Sequence, residues 1–170
     1  MEHYIGTKFI KAVPMTRAEY NEYRGWKLPA DEDGGDIGML VEYEDGGQSN
    51  HPNHKGYISW SPMGVFSKAY RRTYNMTFGM AIEALKVGKK VSRIGWNGKG
   101  MWLIMVPGTP MVTPTPGTPY HQAGVISCEI LPHIDMWTVN GEGRRAMLPG
   151  WLASQTDMLA EDWMIVQDSA

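Results

Sequence analysis

After residue 90 the chain breaks into five short apolar segments, which leaves little room for a long helix. "KVSRIGW" (90–96), "GMWLIMV" (100–106), "VISCEI" (125–130), "HIDMWTV" (133–139) and "WMIVQ" (163–167) are bounded mostly by Gly, Pro or Asn and are rich in Trp, Ile and Val. Segments of that length and composition read as strands, since branched and aromatic side chains suit a pleated, half-buried surface. One helix precedes them in "MTFGMAIEALKVGKKV": Thr77 is positioned to cap it, Phe78, Ile82 and Leu85 fall on one face, and Gly88 stops it. Five prolines between residues 107 and 119 exclude a central strand or a helix interior there, so this stretch reads as a long, semi-rigid loop. "VNGEG" carries the Asn-Gly hairpin signal.

The first half reads as a separate small αβ module. Residues 4–13 resemble a strand, and "PMTRAEYNEYRGW" starts a helix in which Thr16 and Glu19 have capping-box spacing. Tyr20, Tyr23 and Trp26 would bring aromatic surface to one side of it. Strands follow in "MLVEYEDGG" and "YISW", and a second helix in "SPMGVFSKAYRR", with Ser61 as candidate N-cap and Pro62 at the first helical position. The expected organisation is α+β: a small αβ module over residues 1–74, then a helix with an antiparallel sheet over 75–170.

Composition bounds the partners. A net charge of -2 gives no electrostatic footprint for a nucleic-acid polymer. No apolar run approaches the roughly 18 residues of a membrane span, and the first residues lack the pattern of a signal peptide, so a cytoplasmic location is expected. The one cysteine, Cys128, permits neither an internal disulfide nor a cysteine-based zinc site. Seven Trp and eight Tyr against three Phe favour aromatics with a polar handle, which suit flat-ligand pockets and protein interfaces alike.

Three separated stretches, "MTFGMAIEALKVGKKVSRIGWNGKGMWL", "LPHIDMWTVNG" and "LPGWLASQTDMLAEDWMIV", resemble in order the Thoeris anti-defence 2 family of phages and prophages. The likeness spans roughly residues 76–168; residues 1–74 lie outside it and resemble a phage-associated module without a known role. The resemblance implies a small helix-plus-sheet domain assembling as a homotetramer in the cytosol. It further implies a sponge that holds cyclic nucleotide messengers of bacterial immunity, notably glycocyclic ADP-ribose and in some members cyclic dinucleotides, without cleaving them and without a cofactor.

Such a ligand needs a flat surface, donors for phosphate oxygens and polar groups for ribose. In "RIGWNGKG", Trp96 offers a stacking face, while Gly95, Gly98 and Gly100 can turn backbone amides onto an anion; Asn97 tolerates the same turn. Arg93 and Lys99 are further phosphate candidates. The other reading of this stretch is a plain β-turn with Trp96 in the core. "GWLASQTD" places Ser154, Gln155, Thr156 and Asp157 at a helix start, for ribose contacts or for ordinary capping, and Trp151 is a second stacking wall or a core residue. Asp135 and Trp137 alternate onto one strand face. Arg144 and Arg145 could meet a pyrophosphate or remain solvated.

Signals for catalysis are sparse. His51 and His54 in "HPNH" have metal-like spacing, but the intervening proline breaks a presenting helix and no acidic cluster follows closely. Glu161 and Asp162 read as a surface pair on a helix, and neither a P-loop nor a nucleophile elbow is present. The alternatives are a protein-interaction module using the tryptophans as anchors and a nucleotide hydrolase.

Overall fold

Thr16 ends the first strand and caps the first helix. It closes β1 (Lys11–Thr16), its hydroxyl accepts from the Glu19 amide at the start of α1 (Arg17–Tyr23), and the Glu19 carboxylate returns to the Thr16 amide at 2.7 Å. That reciprocal pair satisfies two donors that a helix start would otherwise leave open. The computed structural model describes residues 1–96 and 100–167, and the chain divides into two compact units, Met1–Arg71 and Arg72–Ala170. The observed class is α+β, as expected.

In the first unit β2 (Ile37–Tyr43) lies between β1 and β3 (Tyr57–Pro62), both antiparallel to it, and α2 (Met63–Ala69) follows. The strand expected over 4–13 instead runs over 11–16 and takes in Pro14, which pairs with Met39. An edge strand tolerates this, because proline's missing N–H removes no bond on the outer side. Ser61, expected as the N-cap of α2, is still paired with Met39 in β3; Pro62 takes the cap position without a side-chain bond. Tyr20, Leu40 and Ile58 form the core, with Met15, Tyr23 and Trp60 packed on it and Trp60 Nε1 donating to the Met15 carbonyl at 2.8 Å.

The second unit opens with α3 (Phe78–Lys86), capped by the Thr77 hydroxyl. Its end is a Schellman turn: Gly88, at φ +78°, donates to Leu85, and Lys89 donates to Ala84. Five antiparallel strands then assemble in the order β10-β4-β5-β8-β9: β4 (Val91–Arg93), β5 (Trp102–Val106), β8 (His133–Val139), β9 (Arg145–Leu148) and β10 (Trp163–Ile165). Val91 pairs with Leu103, and Leu103 with Met136, so these side chains share one face. That face meets α3, where Ala81 and Ala84 are fully buried beside Leu85, Val91, Leu103 and Trp163. Alanine there lets the helix backbone approach the sheet closely.

Two expectations change. The proline-rich stretch is not loop throughout: it contains β6 (Thr109–Val112), which pairs with β7 (Cys128–Ile130) in a two-stranded ribbon, and the short helix α4 (Pro119–Gln122). Each strand of a two-stranded ribbon has a free edge, so Pro110 fits without forfeiting a ladder bond. "VISCEI" therefore belongs to the ribbon, outside the main sheet. The turn at 140–144 is a hairpin, with the Asn140 side chain accepting from the Glu142 and Arg144 amides, and its second strand, β9, carries too little alternation to be read beforehand.

Candidate functional site

The site is built where β4 meets β10. Register places Arg93 opposite Trp163, which brings Asp162, just before β10, against the turn after β4. Arg93 donates through Nε to Asp162 at 2.8 Å and through Nη1 to Asp157 at 2.8 Å. Asp162 also accepts the Gly95 amide at 2.7 Å, and Asp157 accepts Trp96 Nε1 at 3.2 Å. Asp157 lies in α5 (Gln155–Met158), whose N-cap Ser154 exchanges a full capping box with it. One guanidinium thus ties the "RIGW" turn to the α5 start and to the β10 entry.

The electrostatics follow from those bonds. The Arg93 hydrogen bond, reinforced by the Gly95 amide, holds Asp162 below the usual carboxylate range despite its partial burial. Burial works against ionisation of Asp157, but the Ser154 hydroxyl, Arg93 and Trp96 outweigh it and its carboxyl is also lowered. Asp162 and then Asp157 raise Arg93 further above its ordinary value. Two carboxylates against one guanidinium leave the cluster with excess negative charge, so it disfavours a bare phosphate and favours hydroxyl or amine donors.

Beside this network stands an aromatic cluster. Trp96 meets Trp163 edge-on at 5.4 Å and Trp151 at 6.1 Å, and Phe78 lies 5.4 Å from Trp163. Both Trp96 and Trp151 pack on the buried core while retaining some exposure. Gln155 and Thr156 are exposed, and Thr156 Oγ1 sits 2.8 Å from the Ser154 hydroxyl. Arg93, Gly95, Trp96, Trp151, Ser154 and Asp157 are therefore brought together, with Gln155 and Thr156 at the rim. Asn97, Gly98 and Lys99 lie outside the described residues.

Gly95 serves a different purpose from the one expected. It does not adopt positive φ, unlike Gly100 at +58°. A Cβ on Gly95 would instead come within 2.8 Å of Asp162 Oδ2, so glycine is needed there for close approach. Its amide and the Arg93 guanidinium, both considered as phosphate donors, are engaged by carboxylates of the same chain.

Asp135 and Trp137 share a face, as alternation requires, but it is the opposite face from Leu103 and Met136. There Trp137 stacks on its cross-strand partner Trp102 at 5.5 Å and 17°, and the Lys90 ammonium stands 5.4 Å over the Trp102 ring. Asp135 is buried, accepts the Gly150 amide at 3.1 Å and lies 3.5 Å from His133 Nε2. The candidate residues thus occupy two surfaces: an anionic Trp96–Asp157 cluster and a Trp102–Trp137 platform. Arg144 pairs with Glu142, and Arg145 donates to the Gly100 carbonyl at 3.4 Å.

Three participants escaped the sequence reading. Asp162 is not on a helix surface beside Glu161; it lies in the bend after α5, turned to Arg93. Trp102 and Lys90 joined the platform only through strand register, and the one sequence hint was the Trp in each of two adjacent strands. Among the described residues no group of three or more His, Cys, Asp or Glu is placed to hold a metal ion.

A family model described as a Thoeris anti-defense 2-like domain matches residues 76–166. A protein named Thoeris anti-defense 2, from Bacillus phage SP01, is 35% identical over 91 residues, which cover 54% of this chain and 94% of that relative.

Proposed function

Because the chain belongs to the Thoeris anti-defense 2-like family, we propose that it is a phage anti-defence protein whose second unit binds a cyclic nucleotide immune messenger and withdraws it from the free pool. The messenger classes are glycocyclic ADP-ribose and cyclic dinucleotides. The mechanism is mass action without cleavage: each occupied site silences one messenger, so the protein works in the cytoplasm by abundance and tight binding, as a homo-oligomer, most simply a tetramer.

The observation that carries this reading is the identity to the phage relative over nearly all of that relative's length. The chemistry of the two surfaces supports it. The partly exposed Trp137 suits nucleobase stacking, worth about 1–3 kcal/mol per base in nucleic-acid complexes, with Trp102, itself between Trp137 and Lys90, as its backing. The excess negative charge at Asp157 and Asp162 suits ribose hydroxyls or an adenine amine, and Gln155 and Thr156 add donors at the same rim. Residues locked in a bonded network are preorganised, so little ordering is lost on binding.

The experiment is to incubate the purified protein separately with glycocyclic ADP-ribose and 3′,3′-cyclic GMP-AMP, follow thermal unfolding, then release the ligand by heat and weigh it. Ligand at 100 times its Kd adds about 2.7 kcal/mol of stability. Recovery of intact messenger with that shift supports the sponge, and light scattering on the same sample reads the assembly. A cleaved product would make the protein a hydrolase. No shift with either ligand would favour the protein-interaction reading of the tryptophan surface.

A further inference from the structure

The first unit holds a bonded array that the messenger-binding reading leaves unused. Tyr23 ends α1, and its Oη lies 2.9 Å from His54 Nε2. His54 Nδ1 lies 3.0 Å from Glu42 Oε2, while Glu42 Oε1 accepts the amides of Lys55 at 3.0 Å and Gly56 at 3.1 Å. His51 stacks on the Tyr23 ring at 4.4 Å and 24°, which fixes the ring from one side. The His54 and Glu42 side chains are only 15% and 13% exposed. Tyr23 also lines an open cavity of about 360 Å³, shared with Pro14, Met15, Glu19 and Glu22.

The bonds decide the protonation pattern. The hydrogen bond from His54, with the Gly56 and Lys55 amides, pulls Glu42 down to about 2. An ionised carboxylate only accepts, so Nδ1 of His54 donates to Glu42, and in the neutral imidazole Nε2 then accepts from the Tyr23 phenol. A nucleophile bonded to a base that a third group orients is the arrangement that activates hydroxyls for covalent chemistry. A loop staple would need only the His54–Glu42 pair; here the phenol of a cavity-lining tyrosine completes the chain.

We propose that Tyr23 is a nucleophile that accepts acyl groups, with His54 as its base and Glu42 as the orienting carboxylate. The substrate class is an uncharged or cationic aryl ester or thioester. Glu19 and Glu22 at the cavity disfavour anionic phosphoesters, Met15 and Pro14 offer apolar contact, and a phenol displaces only leaving groups no more basic than itself. In the step, His54 Nε2 takes the phenol proton as Tyr23 Oη bonds to the acyl carbon. The bond from that carbon to the leaving oxygen or sulfur then breaks, and His54 returns the proton to the departing group. Water, deprotonated by His54, attacks the acyl-tyrosine, releasing the acid and restoring the phenol. The net reaction is aryl ester or thioester plus water to acid plus phenol or thiol, with no redox change.

The test uses the full chain and p-nitrophenyl acetate, with peptide mapping of acetyl-tyrosine and a stopped-flow record of nitrophenolate release. Tyr23 is expected to acetylate at least roughly 100-fold faster than the exposed Tyr4 and Tyr120. Tyr23→Phe, which keeps the ring against His51, should abolish the adduct and the burst with circular dichroism unchanged. His54→Gln should slow labelling to the rate of the exposed tyrosines, and Glu42→Gln should slow it in part. Equal labelling of Tyr23, Tyr4 and Tyr120 in the unaltered protein overturns the proposal whatever the variants do. So does undiminished Tyr23 labelling in a folded His54→Gln variant.

Discussion

Arg93 Nε and Asp162 Oδ1 lie 2.8 Å apart although 69 positions separate them in the chain. The contact closes the second unit's sheet at β10 and β4, and through Nη1 the same guanidinium holds Asp157 at the start of α5. Shape and electrostatics of the Trp96 cluster therefore depend on one cation.

Replacing Asp162 by Ala leaves the Gly95 amide without its acceptor and Arg93 with one carboxylate. Hydrogen bonds to charged groups contribute about 1.5–3 kcal/mol each, discounted here because the Asp162 side chain is 31% exposed. A loss of about 1–3 kcal/mol is expected from urea unfolding followed by tryptophan fluorescence. An unchanged midpoint would mean that the pair contributes nothing net.

Acid should weaken the same region. Asp157 and Asp162 are lowered from the ordinary 3.8 in the folded chain, so the unfolded chain takes up protons first as pH falls. Their contribution is full above that ordinary value and is lost as pH drops through the lower folded values. Glu42 in the first unit behaves likewise between 4.5 and about 2. Melting temperature recorded from pH 6 to pH 2 should therefore fall, and Asp162→Asn should flatten the decline. A variant curve parallel to the parent's would contradict the assignment.

Gly95→Ala tests close approach. The new Cβ would sit 2.8 Å from Asp162 Oδ2 and push the carboxylate from the turn, at a cost of about 1–3 kcal/mol. In the double variant with Asp162→Ala, the two losses should sum to less than their separate values, because the second change removes the group that the first displaces. Strict additivity, read from a denaturant double-mutant cycle, would place the strain elsewhere.

The two tryptophan environments should separate stability from binding. Trp163 is fully buried, and Trp163→Ala should cost about 3–5 kcal/mol. Trp137 is only partly buried on the opposite face, so Trp137→Ala should cost less than half of that while reducing the thermal shift given by messenger. Full retention of the shift in a folded Trp137→Ala protein would remove the platform from the binding site and leave the Trp96 cluster.

Local chemistry sufficed where the interacting groups lie within about five positions. Thr16 with Glu19, Thr77 as a cap and the Gly88 stop were all legible, because each bond closes within a single turn of chain; at the α5 start the sequence left the cap between Ser154 and Thr156, and the structure gives it to Ser154 with Asp157. The strands at 102–106 and 133–139 announced themselves by apolar and aromatic content, and alternation put Asp135 and Trp137 on one face. Pairing was a different matter. The alternation of β8 says which residues share a face, yet nothing within it says that Trp137 meets Trp102 or that this face turns away from α3. Edge position, a property of the whole sheet, decided that Pro14 and Pro110 could lie in strands. Most of all, Arg93, Asp157 and Asp162 meet only once β10 pairs with β4 in one register, and register is a joint property of two strands. Caps, turns and strand character were thus written in the sequence, whereas the assembly of the candidate site was decided by long-range pairing, since contacts across 64 and 69 positions have no local signature.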